Sequence, residues 1–177
     1  MAASALKQFA RRLVRASRLD RNVYEEVEAD PSAMGQSLAI VLLSSAATVL
    51  GGLTQFRTIE LFNAALLALI GWILCGLAAY VVGTRVLPEP QTRADFREVL
   101  RVTGLSNAPG VFRIAGLIPK LGSFVYVVTG VWMLVAMVVA IRQTLDYQST
   151  WRALAVAVIA WALFLAVTLI PAAFGVE

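Results

Sequence analysis

The residue types that carry out most enzymatic chemistry are scarce in this chain. Histidine is absent and Cys75 is the single cysteine. That removes the commonest general base, any intrachain disulfide, and essentially any structural zinc site, which needs four Cys or His ligands. Cys75 lies inside an apolar run, where cysteine most often serves as a small packing residue. Ser44, Ser45 and Ser123 have no candidate base to activate them. The expectation is a non-enzyme with no catalytic residues, no metal and no cofactor. The residue with most chemical potential is Arg113, midway along an apolar run, with Asn107 and Pro109 just before it. A lone arginine at the centre of a bilayer costs at least about 2.5 kcal/mol, so it must face other helices, a partner or water, or snorkel to an interface.

The elements that must position Arg113 follow from composition. Of 177 residues, 59% are hydrophobic and 15% charged, with mean hydropathy +0.77. Soluble domains lie nearer about 45–50% apolar and about 25% charged. The apolar surplus sits in blocks, as membrane spans do. Four blocks are plain, at about 34–53, 61–84, 123–141 and 153–173. A fifth, 102–118, is short and broken by Gly104, Pro109 and Gly110. The fold class is therefore all-α: a polytopic helix bundle of five membrane segments, the third short and broken, plus an N-terminal amphipathic helix. One membrane domain, 34–173, follows an arm at 1–33.

Helix faces suggest contacts. Gly51 and Gly52 close a small-residue face on the first span, and Gly71, Cys75, Ala79 and Gly83 recur every fourth position on the second. Small faces let helices approach closely, so these two antiparallel spans should pack on each other. After Pro88 and Pro90, Thr92-x-x-Asp95 resembles a capping box opening a surface helix. Its inner face is Phe96, Val99, Leu100 and Thr103, with Arg97, Glu98 and Arg101 turned away. Trp132, in mid-span, should pack against a neighbouring helix, whereas Tyr147 and Trp151 read as interface anchors.

The arm alternates in a helical period. Leu6, Phe9, Ala10, Leu13 and Ser17 share a face opposite Lys7, Arg11, Arg15 and Arg18. Over 1–19 this predicts an in-plane helix whose Arg11, Arg12, Arg15 and Arg18 meet anionic lipid headgroups. Twelve of the fifteen basic residues fall on the arm's side of the bundle whether or not 102–118 crosses, which places the N-terminus in the cytoplasm. Net charge +4 thus reads as membrane flanks, and no base-reading motif points to nucleic acid.

Taken as a set, Arg93-x-x-Phe96-x-x-Val99-Leu100-x-Val102-x-Gly104, then Pro109, Ile118-Pro119, Trp132-x-Leu134 and Ile141-Arg142, resembles the bacterial branch of the Yip (Ypt-interacting protein) domain family. The resemblance covers roughly 20–173. It implies five membrane segments, a cytoplasmic N-terminus and residence in the bacterial inner membrane. Eukaryotic members bind Rab-type GTPases and act in vesicle traffic through a longer cytoplasmic region whose positions have no match here.

Two functions compete. One is a scaffold or accessory subunit that binds other membrane proteins, or itself as a homo-oligomer, or organises lipid. The other is a small oligomeric transporter or channel using the broken helix around Asn107 and Arg113, since interrupted helices often mark substrate sites. Against the second, the four plain spans contain no Asp, Glu, Lys or Arg.

Overall fold

The structure, a computed structural model, describes residues 2–52 and 58–173, with side chains over 4–52 and 61–166. The first inter-span loop with its Arg57, and the Pro171 side chain, lie outside the described residues. Every regular element described is helical. Helix α1 (Ala2–Ser17) is followed by a turn in which Leu19 takes a left-handed φ of 60°. Helix α2 (Arg21–Glu28) is capped by Asp20, whose carboxylate accepts from the Asn22 N–H at 3.0 Å. Asp30 repeats that device for a one-turn helix, Pro31–Ala33, which feeds α3 (Met34–Gly52).

Helix α4 (Thr58–Val81) widens into a π-turn at Val82–Val86, and α5 (Phe96–Leu105) begins after the proline loop. The box that opens α5 is Asp95-x-x-Glu98, with the Glu98 carboxylate accepting from the Asp95 N–H at 2.8 Å. Thr92 sits one turn earlier and accepts from the Glu89 N–H, so the expected Thr92–Asp95 box is displaced by three residues. Helices α6 (Gly122–Thr144) and α7 (Thr150–Ala173) complete the chain. Three described helices are long and apolar enough to span a membrane, at Pro31–Gly52, Leu61–Val86 and Gly122–Thr144; Thr150–Ala166 is a shorter apolar helix.

The broken segment is a 3-10 helix, Ala108–Leu117, not an α-helix. At about 2.0 Å rise per residue its ten residues cover about 20 Å instead of about 15 Å. It runs parallel to α3. Ser37 donates to the Arg101 carbonyl at 2.7 Å, Gly110 lies against Ser44, and Gly116 against Gly51. The chain from Arg101 to Gly116 thus follows α3 from near its start to its end.

Helices α4 and α7 pair antiparallel, Gly71 beside Phe164 and the Cys75 thiol 3.4 Å from the Ala160 carbonyl. Gly51 thus meets the Arg113 backbone, and Gly71 and Cys75 meet α7, while α3 and α4 also pack on each other as expected. A side chain on Gly51 would collide with the Arg113 carbonyl, and one on Gly71 with the Phe164 ring. Backbone-on-backbone approach is what Gly51 permits, and only a tightly wound strand without bulk can exploit it.

The core lies at one end. Ala16, Val23, Tyr24 and Val27 of the arm pack with Ile40, Val102, Leu105 and Ala140. Beside them Ala79, Val99, Met137, Ile141, Leu145 and Val156 form a second cluster. At the opposite end large apolar side chains face outward, among them Phe62, Leu66, Phe124, Val127 and Leu163. Such an outward apolar belt is what a hydrocarbon solvent would cover.

Candidate partner and lipid sites

Arg113 projects from the 3-10 segment into the seam between α3 and α6. Its Nη1 donates to Thr48 Oγ1 at 3.0 Å and its Nε to Thr129 Oγ1 at 3.2 Å. The guanidinium lies 4.4 Å from the centroid of the Tyr126 ring, itself an exposed side chain. No carboxylate pairs with it among the described residues. Asn107 turns backward and donates to the Thr103 carbonyl at 3.0 Å, closing the end of α5. Pro109 is buried at the start of the 3-10 segment. Thr48 stands four residues from the end of α3 and Thr129 seven residues from the start of α6. Arg113 is therefore about 6–10 Å from those helix ends, within an arginine's reach of an interface.

In the arm the four arginines predicted to meet lipid headgroups divide. Arg12 is 3% exposed and donates to Glu26 and Asp30, each at 2.8 Å, and to Gln36 at 3.1 Å. Arg15 bridges Asp20 and Glu26 at 2.7 and 2.6 Å. The Arg15 hydrogen bond holds Asp20 below its ordinary carboxylate range; burial alone would raise Glu26, but its bonds to Arg12 and Arg15 bring it down. Arg11 and Arg18 face outward. Of the predicted packing residues, Gly51, Gly71, Cys75, Ala79 and Gly83 touch neighbouring elements, while Gly52 has open space around it.

Several side chains organise the fold through partners that the pattern did not reveal. Trp132 stacks on Phe112 with ring centroids 5.4 Å apart, as a packed mid-span tryptophan should, but its N–H also donates to the Ser17 carbonyl at 2.9 Å. Arg101, expected to face solvent, is 6% exposed and donates to the carbonyls of Val27 and Glu28 at the C-terminal end of α2. Tyr147, expected as an interface anchor, is 4% exposed, its hydroxyl 2.8 Å from both the Gly83 and Leu87 carbonyls of the π-turn. Trp151 is 79% exposed, the opposite case. Glu89 accepts from the Gln148 and Ser149 N–H groups just before α7, bonds that lower its pKa.

Glu28 is the one arm carboxyl displaced upward, to about 7. Burial is the main cause, followed by Glu98, Asp146 and Glu25, with Arg101 pulling the other way.

These features define an all-helical protein of membrane type, with a polar cap locked onto one end of an apolar bundle. The family model of the Yip1 domain matches residues 20–170, and the chain belongs to that family. No curated protein and no solved structure shows a significant match to it.

Proposed function

We propose that this chain is a non-enzymatic membrane scaffold or accessory subunit of a bacterial inner membrane, binding partner membrane proteins or organising lipid. The observation that carries the reading is Arg113, a cation held by two threonine hydroxyls beside outward-facing apolar side chains, with no carboxylate partner among the described residues. A charge in that setting calls for an acceptor from outside the fold, either a partner's acidic group or a lipid phosphate. In this reading 102–118 crosses, making five crossings with the N-terminus cytoplasmic and the C-terminus outside. Support comes from its parallel course along α3 and from the excess of basic residues at the arm's end. Arg11 and Arg18 face anionic headgroups.

Transport through the break is less well supported, because the contact of Gly51 and Gly116 fills the seam with backbone. The test is copurification in mild detergent, wild type against Arg113→Leu. A stoichiometric membrane protein or phospholipid that is retained by the wild type and lost from an intact variant is the expected result. A pure homo-oligomer stabilised by a soluble solute would favour transport.

A further inference from the structure

A cleft of about 400 Å³ opens at the arm's end of α6, within the size range of small-ligand sites. Its lining comes from three elements: Arg21 of α2; Val138, Val139, Arg142 and Gln143 of α6; and Asp146 and Thr150 at the turn into α7. The charges are mixed but not paired with each other. Arg21 and Asp146 are both exposed, and neither makes a side-chain ion pair among the described residues. Arg142 is oriented by the Tyr147 and Gln148 carbonyls, to which Nε and Nη2 donate, each at 3.3 Å. Gln143 bonds Glu25 at 2.6 Å, so a second carboxylate closes the rim.

The cleft does not stop at its polar end. Val131, Val135, Val138, Val139 and Arg142 share one face of α6 by helical spacing. Val131 is 58% and Val135 42% exposed, so that face continues out of the cleft as an open apolar stripe. Two guanidiniums, a carboxylate and an adjoining apolar stripe match one molecule with a phosphate, an ammonium and a hydrocarbon chain.

We infer that the cleft between Arg21, Arg142 and Asp146 binds the headgroup of phosphatidylethanolamine. Phosphate lies between the two arginines and the primary ammonium at Asp146, with an acyl chain along Val139, Val135 and Val131. Arginine presents paired N–H donors to phosphate oxygens, and the charge-assisted bonds are the strong ones. Phosphatidylglycerol would offer the arginines the same phosphate but would bring no cation to Asp146. A choline headgroup would offer no N–H to the carboxylate.

The inference rests on the lipid-organising side of the proposed function. The full-length protein in detergent would be equilibrated with equal amounts of dioleoyl phosphatidylethanolamine, phosphatidylcholine and phosphatidylglycerol, and the lipid retained after gel filtration quantified. Wild type is expected to retain the ethanolamine lipid roughly three- to tenfold over the other two, about the worth of one ordinary hydrogen bond. Asp146→Asn should remove that preference over phosphatidylglycerol, and Arg21→Gln should lower retention of both. Both positions are exposed, so folding is preserved and thermal melting checks it. Equal retention of all three lipids, or a preference untouched by Asp146→Asn, would overturn the cleft while leaving the scaffold reading standing. No phospholipid retained by any variant would overturn the cleft and, with it, the lipid-organising side of the proposed function.

Discussion

At the scale of single residues, the arm is governed by buried polar groups whose partners are internal. Arg12 has two carboxylates and an amide around it, and Arg12→Gln would leave Glu26 and Asp30 facing each other without their shared cation. Removing one partner of a fully buried pair costs about 3–5 kcal/mol. Glu26 and Asp30 remain 39% and 27% exposed, which reduces the expectation to about 2 kcal/mol. Thermal melting in detergent should show that loss, while Arg11→Gln melts within about 0.5 kcal/mol of wild type and weakens binding of the arm to anionic vesicles. Glu28 acts in the opposite sense. A carboxyl raised on folding favours the folded arm while protonated, a contribution complete below about pH 4.5 and lost as pH rises through about 7. Wild type should therefore melt lower at pH 7.5 than at pH 5.5. Glu28→Gln should flatten that slope; an unchanged slope would refute the assignment.

Among the elements, the contact between α3 and the 3-10 segment is the tightest and so the most testable. Gly51→Ala forces a methyl into the Arg113 carbonyl, and overpacking of this kind costs about 1–3 kcal/mol. Gly52→Ala, one residue on, has open space and should be neutral or slightly stabilising. The same melting assay separates them. Tyr147→Phe removes the hydroxyl that serves the π-turn and should cost about 1–3 kcal/mol by leaving the Gly83 carbonyl without it. These contacts also mark how far the sequence could be read. Apolar blocks announced the long helices, and Gly104, Pro109 and Gly110 announced a break between α5 and α6. The 3-10 winding left no pattern, because ten such residues persist through tertiary contacts with α3 and α6. Arg101 and Tyr147 were hidden for another reason: each finds backbone carbonyls 60 to 74 residues away, and a carbonyl has no letter in the sequence. Arg113 stood out because charge in an apolar run is visible; its threonine partners are not.

For the whole molecule, the decisive quantity is which side each end occupies. In the five-crossing arrangement a Cys75→Ala protein carrying Ala3→Cys is labelled only after cells are permeabilised, whereas a C-terminal reporter responds outside. A C-terminal reporter active inside the cell would mean that 102–118 does not cross. The core being concentrated at the arm's end makes a second expectation at this scale. Deleting 1–33 strips Val23, Tyr24 and Val27 from their buried cluster and takes away the acceptors of Arg101. The truncated bundle should still insert, since its apolar helices are intact, but should lose cooperative melting.

The bond from Trp132 to Ser17 has a consequence for synthesis. The arm leaves the ribosome first, yet its acceptors at Ser17 and Val27 wait for donors 115 and 74 residues further along the chain. During that interval α1 and α2 have only the part of their seat that α3 supplies, Gln36 and Ile40. Their apolar faces are open to whatever stands nearby, whether bilayer surface, insertion machinery or chaperone. The seat is completed only when α6 has been translated, so closure of the arm reports that the nascent chain has passed its fourth apolar block. A translation pause placed before Trp132 should therefore yield an arm cut readily by protease, and a pause placed after α6 an arm that resists.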